Sequence, residues 1–438
     1  MDSNKIKFYT ELTYLIKHLL GLDWVKEKYR TSDKAFTRVR ILTFAVIVLF
    51  LINLNKRALQ DELDEYFKVL NGLSIACRTV TKSALSQARG KIKPELFVYL
   101  NEVAIKHFYE KGEPHLWHGF ILTAHDGSMA SVPNNEKICN HFGVWHPNAG
   151  GECPKARISQ MYDVLNHVTL HAIIAPKNQD ERSLAEKHLE YCHDLGGNYL
   201  HLYDRGYAGY CFFAFMVSLR MNFCARMSVS GWIKVREFVA SGKKEQFVII
   251  HVPNSAKKEC LERGLPTSIR LRLIRIDLPT GEVEVLATTL FDQTRFPHEV
   301  FQELYHQRWF VEEDYKVLKL RTEFENWTGT SVHAIEQDFH AKVFTKNIAF
   351  IFAHQAQPVV AEQTSGRQYA YQVNMTNLIS KMKGTIVLLL TQTDILPLLE
   401  GLWKQMVKTI EPIRPGRSVP RKKKVKPSRF APSYKGTQ

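Results

Sequence analysis

This 438-residue chain lacks an apolar run long enough to cross a bilayer. Its longest, Ile41–Ile52, falls short of the roughly 18–20 residues a spanning helix needs. It also begins too far into the chain for a signal-peptide core, so a buried helix is expected. Paired cysteines are missing too: the seven are scattered, and none forms a C-x-x-C pair. That excludes a disulfide framework and points to a reducing, cytoplasmic setting. Acidic residues are scarce relative to basic ones, with Asp+Glu 44 against Lys+Arg 59 and a net charge of +15. Residues 412–438 carry nine Lys or Arg and no Asp or Glu. Such a balance calls for a polyanionic partner, either nucleic acid or an anionic membrane surface. A hydrophobic fraction of 45% rules out a mainly disordered, collagen-like or fibrous chain.

What is present divides the chain. Residues 1–115 show helical spacing through Phe8–Leu20, Val39–Leu54 and Leu59–Leu73. The polar, basic stretch Thr81–Ile92 is either a helix presented to DNA or a surface helix of a bundle. Over 116–228 the pattern changes. Short strands are expected at Phe120–Ala124, Arg157–Leu165, Leu170–Ala175, Tyr199–Tyr203 and Asn222–Met227, with helices at Asp180–Leu195 and Tyr210–Leu219. This order predicts a mixed sheet flanked by helices, an α/β class. Residues 229–294 read as a β-rich insertion with Pro279-Thr280-Gly281 as its turn. A long helix opens at Pro297 and runs to about Arg321 within segment 295–360, and a further helix covers Asp338–Gln355. A helical region at 361–411 and a flexible basic tail at 412–438 complete the chain.

Two carboxylates, Asp126 and Asp204, each close an apolar strand and are followed by glycine within two residues. A strand-terminal Asp beside glycine can hold a hard cation, although it can equally be a turn former. The helix at 297–321 adds a third. With Tyr305 as origin, Arg308 falls at about −60°, Glu312 at about −20°, Lys319 at about −40° and Lys316 at about +20°. One face thus carries a carboxylate, an aromatic hydroxyl and several cations; the alternative is a solvated face with i,i+4 pairs such as Glu312–Lys316. Three carboxylates suit two divalent metals acting on phosphorus, and a basic face beside them suits phosphate.

Tyr305-x-x-Arg308-x-x-x-Glu312-x-x-x-x-x-x-Lys319 resembles, at every fixed position, the Y-(2)-R-(3)-E-(6)-K signature of the IS-four family of bacterial insertion-sequence transposases, which are DDE enzymes. Asp204-Arg205-Gly206-Tyr207 and Asp126-Gly127-Ser128 resemble the blocks around that family's two catalytic Asp residues. Ala156-Arg157-x-Ser159 and Asp180-Glu181-Arg182 resemble blocks between them. The resemblance covers about residues 40–430. It implies an RNase H-like catalytic core interrupted by a β-strand insertion. It further implies Asp126, Asp204 and Glu312 as catalytic ligands of two Mg²⁺ (or Mn²⁺) ions, with Tyr305, Arg308 and Lys319 on phosphates; Lys316, on the same helix face, is expected to touch DNA as well. The implied partners are double-stranded DNA, as terminal inverted repeats and target, and a second copy in a synaptic complex; no membrane is implied. Some relatives stack a flipped base on a Trp of the insertion; Trp232 stands near the start of 229–294 and is not matched to that position.

Other clusters carry less. Cys139, His141, His146 and Cys153 lack standard zinc-finger spacing and are expected in a DNA-facing loop. His125 is expected as a packed strand histidine, and Ser128 lacks the G-x-S-x-G elbow of a serine hydrolase. The tail run Arg421, Lys422, Lys423 and Lys424 is expected to touch DNA non-specifically. Besides the transposase, two readings stay open: a catalytically silent DNA-binding derivative, and an RNase H-like nuclease that cuts without joining.

Overall fold

A computed structural model describes residues 1–146 and 153–414; Arg421–Lys424 lie outside the described residues. The described residues form two compact units, one built from 1–114, 130–156 and 316 onward, the other from 115–129 and 157–315.

The first unit opens with α1 (Ser3–Gly21), capped where the Asp2 side chain accepts from the Lys5 N–H at 2.9 Å. There follow α2 (Asp23–Tyr29), α3 (Phe44–Leu51), α4 (Leu59–Asn71), α5 (Lys82–Arg89) and α6 (Glu95–Lys111). The expected helix over Val39–Leu54 is shorter at both ends. Thr43 caps it by accepting from the Val46 N–H, Ile41 is exposed, and Leu54 adopts a positive φ that ends helical geometry. The α5 helix exposes Lys82, Ser83, Ser86 and Gln87 and buries Leu85 and Arg89.

The second unit is organised by a mixed sheet. Its first strand, β1 (Ile121–Ser131), runs into the first unit, where α7 (Glu136–Phe142) and β2 (Val144–Trp145) follow. Cys139 and His141 therefore sit on a short helix rather than in the expected loop, because Asn135 supplies an N-cap to the Ile138 N–H. The chain re-enters through β3 (Cys153–Asp163), turns at His167 in the left-handed region, and returns as β4 (Val168–Pro176). Then come α8 (Glu181–Leu195), β5 (Tyr199–Tyr203), α9 (Tyr210–Ser218) and β6 (Asn222–Met227). Strand β3 lies between β4 and β1, and β5 and β6 continue in parallel with β1. These strands and helices make the mixed, helix-flanked sheet that the element order predicts. Its inner strands are buried on both faces, as the near-continuous apolar run Tyr199–Tyr203 requires.

Residues 229–294 contain the three expected strands, β7 (Glu245–His251), β8 (Ser268–Asp277) and β9 (Val283–Thr288). They continue the same sheet: β9 pairs antiparallel with β6, and β8 and β7 extend it outward. Two helices were not expected, α10 (Ile233–Ala240) and α11 (Asn254–Glu262); the latter buries only Cys260, too thin an apolar stripe to announce itself. Trp232 packs against Phe213 with ring centroids 6.1 Å apart, so its ring is engaged with the core.

The helix expected from Pro297 to Arg321 is in fact α12 (Val300–His306), a 3-10 turn at Gln307–Trp309, and α13 (Phe310–Leu320). Beyond it the first unit resumes with α14 (Val332–Gln363), longer than expected at both ends, then β10 (Tyr371–Val373), α15 (Met375–Thr391), α16 (Leu396–Lys408) and β11 (Ile410–Pro412). Gly384, at φ +76°, breaks α15. The long α14 is buried nearly all round, and Gln337, Asp338, Lys342 and Asn347 inside it are all hydrogen-bonded.

Candidate active site

Asp126 lies within β1, not at its end as expected, because the strand continues to Ser131. Asp204 follows the last residue of β5. The parallel register pairs Ala124 with Leu202, so each Asp stands two residues beyond that pair in the same direction. The Asp204 carboxylate accepts from the Gly206 N–H at 2.8 Å, which fixes its rotamer. Gly206 permits this approach, since a Cβ there would lie 3.1 Å from Asp204 Oδ1.

Glu312 comes from α13. That helix is fastened to β1 by Tyr315, whose hydroxyl donates to the Asp126 backbone carbonyl at 2.7 Å. Arg308 Nη2 donates to Glu312 Oε1 at 3.0 Å. Burial pushes the Asp126 carboxyl up to about 7. The Gly127 N–H opposes that rise, Asp204 and Glu312 add to it, and Arg308 offsets it. Asp204 and Glu312 thus both act on the Asp126 carboxyl.

The flanking residues are placed differently from a simple cationic face. Arg308 is buried and turned to Glu312, with its guanidinium 5.9 Å from the Tyr305 ring and 5.3 Å from the Trp309 ring. Tyr305 is buried as well, and desolvation raises its hydroxyl pKa. Lys316 and Lys319 fall on the last turns of α13, in the other unit. The 3-10 turn at Gln307–Trp309 means that the uniform 100° step does not hold through this stretch, though Arg308 and Glu312 still meet at i,i+4.

The second unit also brings together residues that spacing did not single out. Arg157 pairs with Glu181, and a Cβ on Gly127 would meet Glu181 Oε1 at 2.8 Å. Arg182 donates to the Gly206 carbonyl at 2.9 and 3.2 Å. The buried Tyr207 hydroxyl has no hydrogen-bond partner. The sequence signal for them was the pair of family-like blocks around Arg157 and Glu181. His125 is a packed strand histidine, with Nε2 3.0 Å from His201 Nδ1, and burial holds it well below the usual imidazole range.

Among the described residues no three His, Cys, Asp or Glu side chains are already gathered as a ligand cage. The donor chemistry nonetheless fits a hard divalent cation. Three carboxylates offer the oxygen ligands that such a cation takes.

A family model described as "Transposase DDE domain" matches residues 117–348. The transposase InsG of insertion sequence element IS4 from Escherichia coli (strain K12) is 25% identical over 250 residues, which is 55% of this chain and 53% of that protein. The match thus spans about half the length of that curated relative. A cryo-EM structure of the piggyBac transposase synaptic complex with hairpin DNA aligns over 93% of this chain and 87% of its own, at 10% identity and a TM-score of 0.43. The family match over more than half of the chain makes it a member of the transposase DDE domain family.

Proposed function

We propose that the chain binds the ends of an insertion sequence, cuts DNA there and joins the freed 3′ hydroxyl to target DNA by phosphoryl transfer. The observation that carries this reading is the convergence of Asp126 and Asp204 on neighbouring parallel strands with Glu312 on a helix bonded to the Asp126 backbone. Two Mg²⁺ or Mn²⁺ ions, when bound, supply activation of the attacking oxygen and stabilisation of the leaving one. The protein's own share is preorganisation. Strands β1 and β5 hold two carboxylates, the Gly206 N–H fixes one of them, and Arg308 orients Glu312. The proposed partners are double-stranded DNA and a second copy of the chain in a synaptic complex. Among the described residues no helix is long and apolar enough to cross a membrane.

The test is incubation of the protein and Mg²⁺ with DNA ends taken from the sequence flanking the gene. Cut and joined products support the transposase. Cutting alone favours a nuclease, and binding with neither favours a silent derivative.

Two side predictions belong here. Arg308→Lys keeps the charge but loses the planar fork that holds Glu312. End cleavage should fall by roughly tenfold, about 1.4 kcal/mol of barrier, with metal-free DNA binding unchanged. Equal cleavage by the two proteins would remove Arg308 from this role. The second concerns the tail. Pro412 pairs with Tyr371 in the β10–β11 ladder, so truncation should begin after Arg414. Deleting 415–438 removes eight Lys or Arg. Non-specific DNA affinity should fall and its salt dependence flatten, since fewer counterions are released. Coincident salt slopes for the two proteins would show that the tail is not a DNA contact.

A further inference from the structure

We propose that Cys211 and Cys260 form an oxidation site: hydrogen peroxide joins their sulfurs in a disulfide that clamps α11 to α9. The site lies within the second unit and uses none of the three carboxylates, so it stands apart from the transposase reading.

Cys211 on α9 and Cys260 on α11 are 49 residues apart in the chain, yet their Sγ atoms lie 3.1 Å apart, a thiol–thiol contact in which either sulfur can donate. Cys211 Sγ also lies 3.8 Å from the Ala256 carbonyl oxygen. Ala256 is four residues before Cys260, so the two share one face of α11, and Cys211 sits against that face. Both thiols are free; Cys260 is buried and Cys211 is half-buried, so one member of the pair is within a small oxidant's reach. The helix they join is thinly held. Cys260 is the one fully buried residue of α11. The rest of the attachment is polar or peripheral. Arg263, at the end of α11, pairs with Glu186 of α8 at 3.0 Å and lies 5.3 Å from the Phe215 ring of α9. The Tyr210 hydroxyl donates to the Pro266 carbonyl at 3.0 Å. A helix with so little apolar burial opens locally well before the whole fold does. A covalent bond at its one buried position therefore acts where the packing is weakest.

The chemistry runs in two steps. The Cys211 sulfur attacks one peroxide oxygen: an S–O bond forms, the O–O bond breaks, and water leaves with the thiol proton, giving a sulfenic acid. The Cys260 sulfur then attacks Cys211: the S–S bond forms, the S–O bond breaks, and a second water leaves. The two thiols thus lose two electrons and two protons, and the peroxide is reduced to two waters. Burial above all, then the contacts with Cys260 and Glu259, push the Cys211 thiol up to about 12. The first step is therefore slow at neutral pH, because the thiolate is the attacking form. The same property favours keeping the product. A low thiol pKa stabilises the reduced state of a dithiol, and Cys211 has no such stabilisation. The bond forms slowly and, once made, is retained until a strong dithiol reductant opens it.

The test is exposure of the full chain to hydrogen peroxide, alkylation of the remaining thiols with N-ethylmaleimide, and peptide mass spectrometry without reduction. Peroxide is raised until Cys77, exposed on the first unit, is oxidised, which shows that accessible thiols have been reached. The peptides bearing Cys211 and Cys260 should then be joined, lighter by two hydrogens than their sum, and dithiothreitol should separate them. Hydrogen exchange of the α11 amides should slow by roughly tenfold or more on oxidation and recover with dithiothreitol. In Cys260→Ser, peroxide should leave α11 exchange unslowed and put oxygen on Cys211; if that variant does not fold, the peptide map of the unsubstituted protein decides alone. Cys211 and Cys260 found alkylated or separately oxidised when Cys77 is oxidised overturns the site. A Cys211–Cys260 bond found only between two chains, as a covalent dimer, overturns it as well. A bond within one chain that leaves α11 exchange unchanged overturns the clamp.

Discussion

Asp126→Ala, Asp204→Ala and Glu312→Ala proteins should each lose end cleavage and strand transfer by roughly 10³-fold or more, while metal-free end binding persists. Ligands of one site act as a unit, so each single loss should approach the loss in the triple variant. The geometry sets the control. Glu313 is the next residue along α13, so its side chain points about 100° away from that of Glu312, and Glu313→Ala should retain activity. The measurement is single-turnover cleavage of end DNA with Mg²⁺. Near-normal cleavage by Glu312→Ala would sink the assignment of the third carboxylate.

The largest expected effect on stability lies in the first unit. Arg89 of α5 and Asp338 of α14 form an ion pair at 2.8 Å with both side chains buried. Asp338 also accepts from the Thr328 N–H at 2.5 Å and from the Thr328 hydroxyl at 2.7 Å. Arg89 further donates to Gln337 Oε1 and to the Ala334 carbonyl. Asp338→Ala leaves a guanidinium and a backbone N–H buried without their partner, which costs about 3–5 kcal/mol. Thermal unfolding should move down by on the order of 10 °C. The double variant Arg89→Met, Asp338→Leu should recover part of that loss, because no charge is then stranded. A midpoint within a degree or so of wild type for Asp338→Ala would show that the network is dispensable.

The sequence was most legible where local chemistry and tertiary packing agree. Asp180 reads as an N-cap and is one, accepting from the Ser183 N–H at 3.0 Å. The strand Asn222–Met227 and the turn at Gly281, with φ +86°, fall where alternation and turn residues put them. A spacing signature singled out Glu312, and strand-terminal Asp residues beside glycine singled out Asp126 and Asp204; sheet register sets the two Asp side by side, and the Tyr315 hydrogen bond brings the helix of Glu312 to β1. Other features were hidden for physical reasons. Asp126-Gly127-Ser128 carries turn chemistry, yet sheet pairing carries β1 through it. The i,i+4 arithmetic put Arg308 on a face with Glu312 but could not say that Arg308 and Tyr305 would be buried. Glu181 and Arg157 meet through a contact between α8 and β3, and no local period encodes it.

The first unit is assembled from chain segments very far apart. Asn347 on α14 donates to Asn101 on α6 at 2.6 Å across 246 residues, and the Tyr9 hydroxyl donates to the Phe352 carbonyl across 343 residues. During synthesis at roughly 5–20 residues per second, helices α1 to α6 therefore emerge well before the helix that buries their apolar faces. Until α14 arrives they expose Phe97, Leu100 and Phe108, all fully buried in the finished protein. Loop-closure entropy over such separations slows the docking step further. Assembly of this unit is thus a late event in the life of each chain, and a product truncated before α14 has no partner for its N-terminal helices, leaving it a substrate for chaperones and proteases.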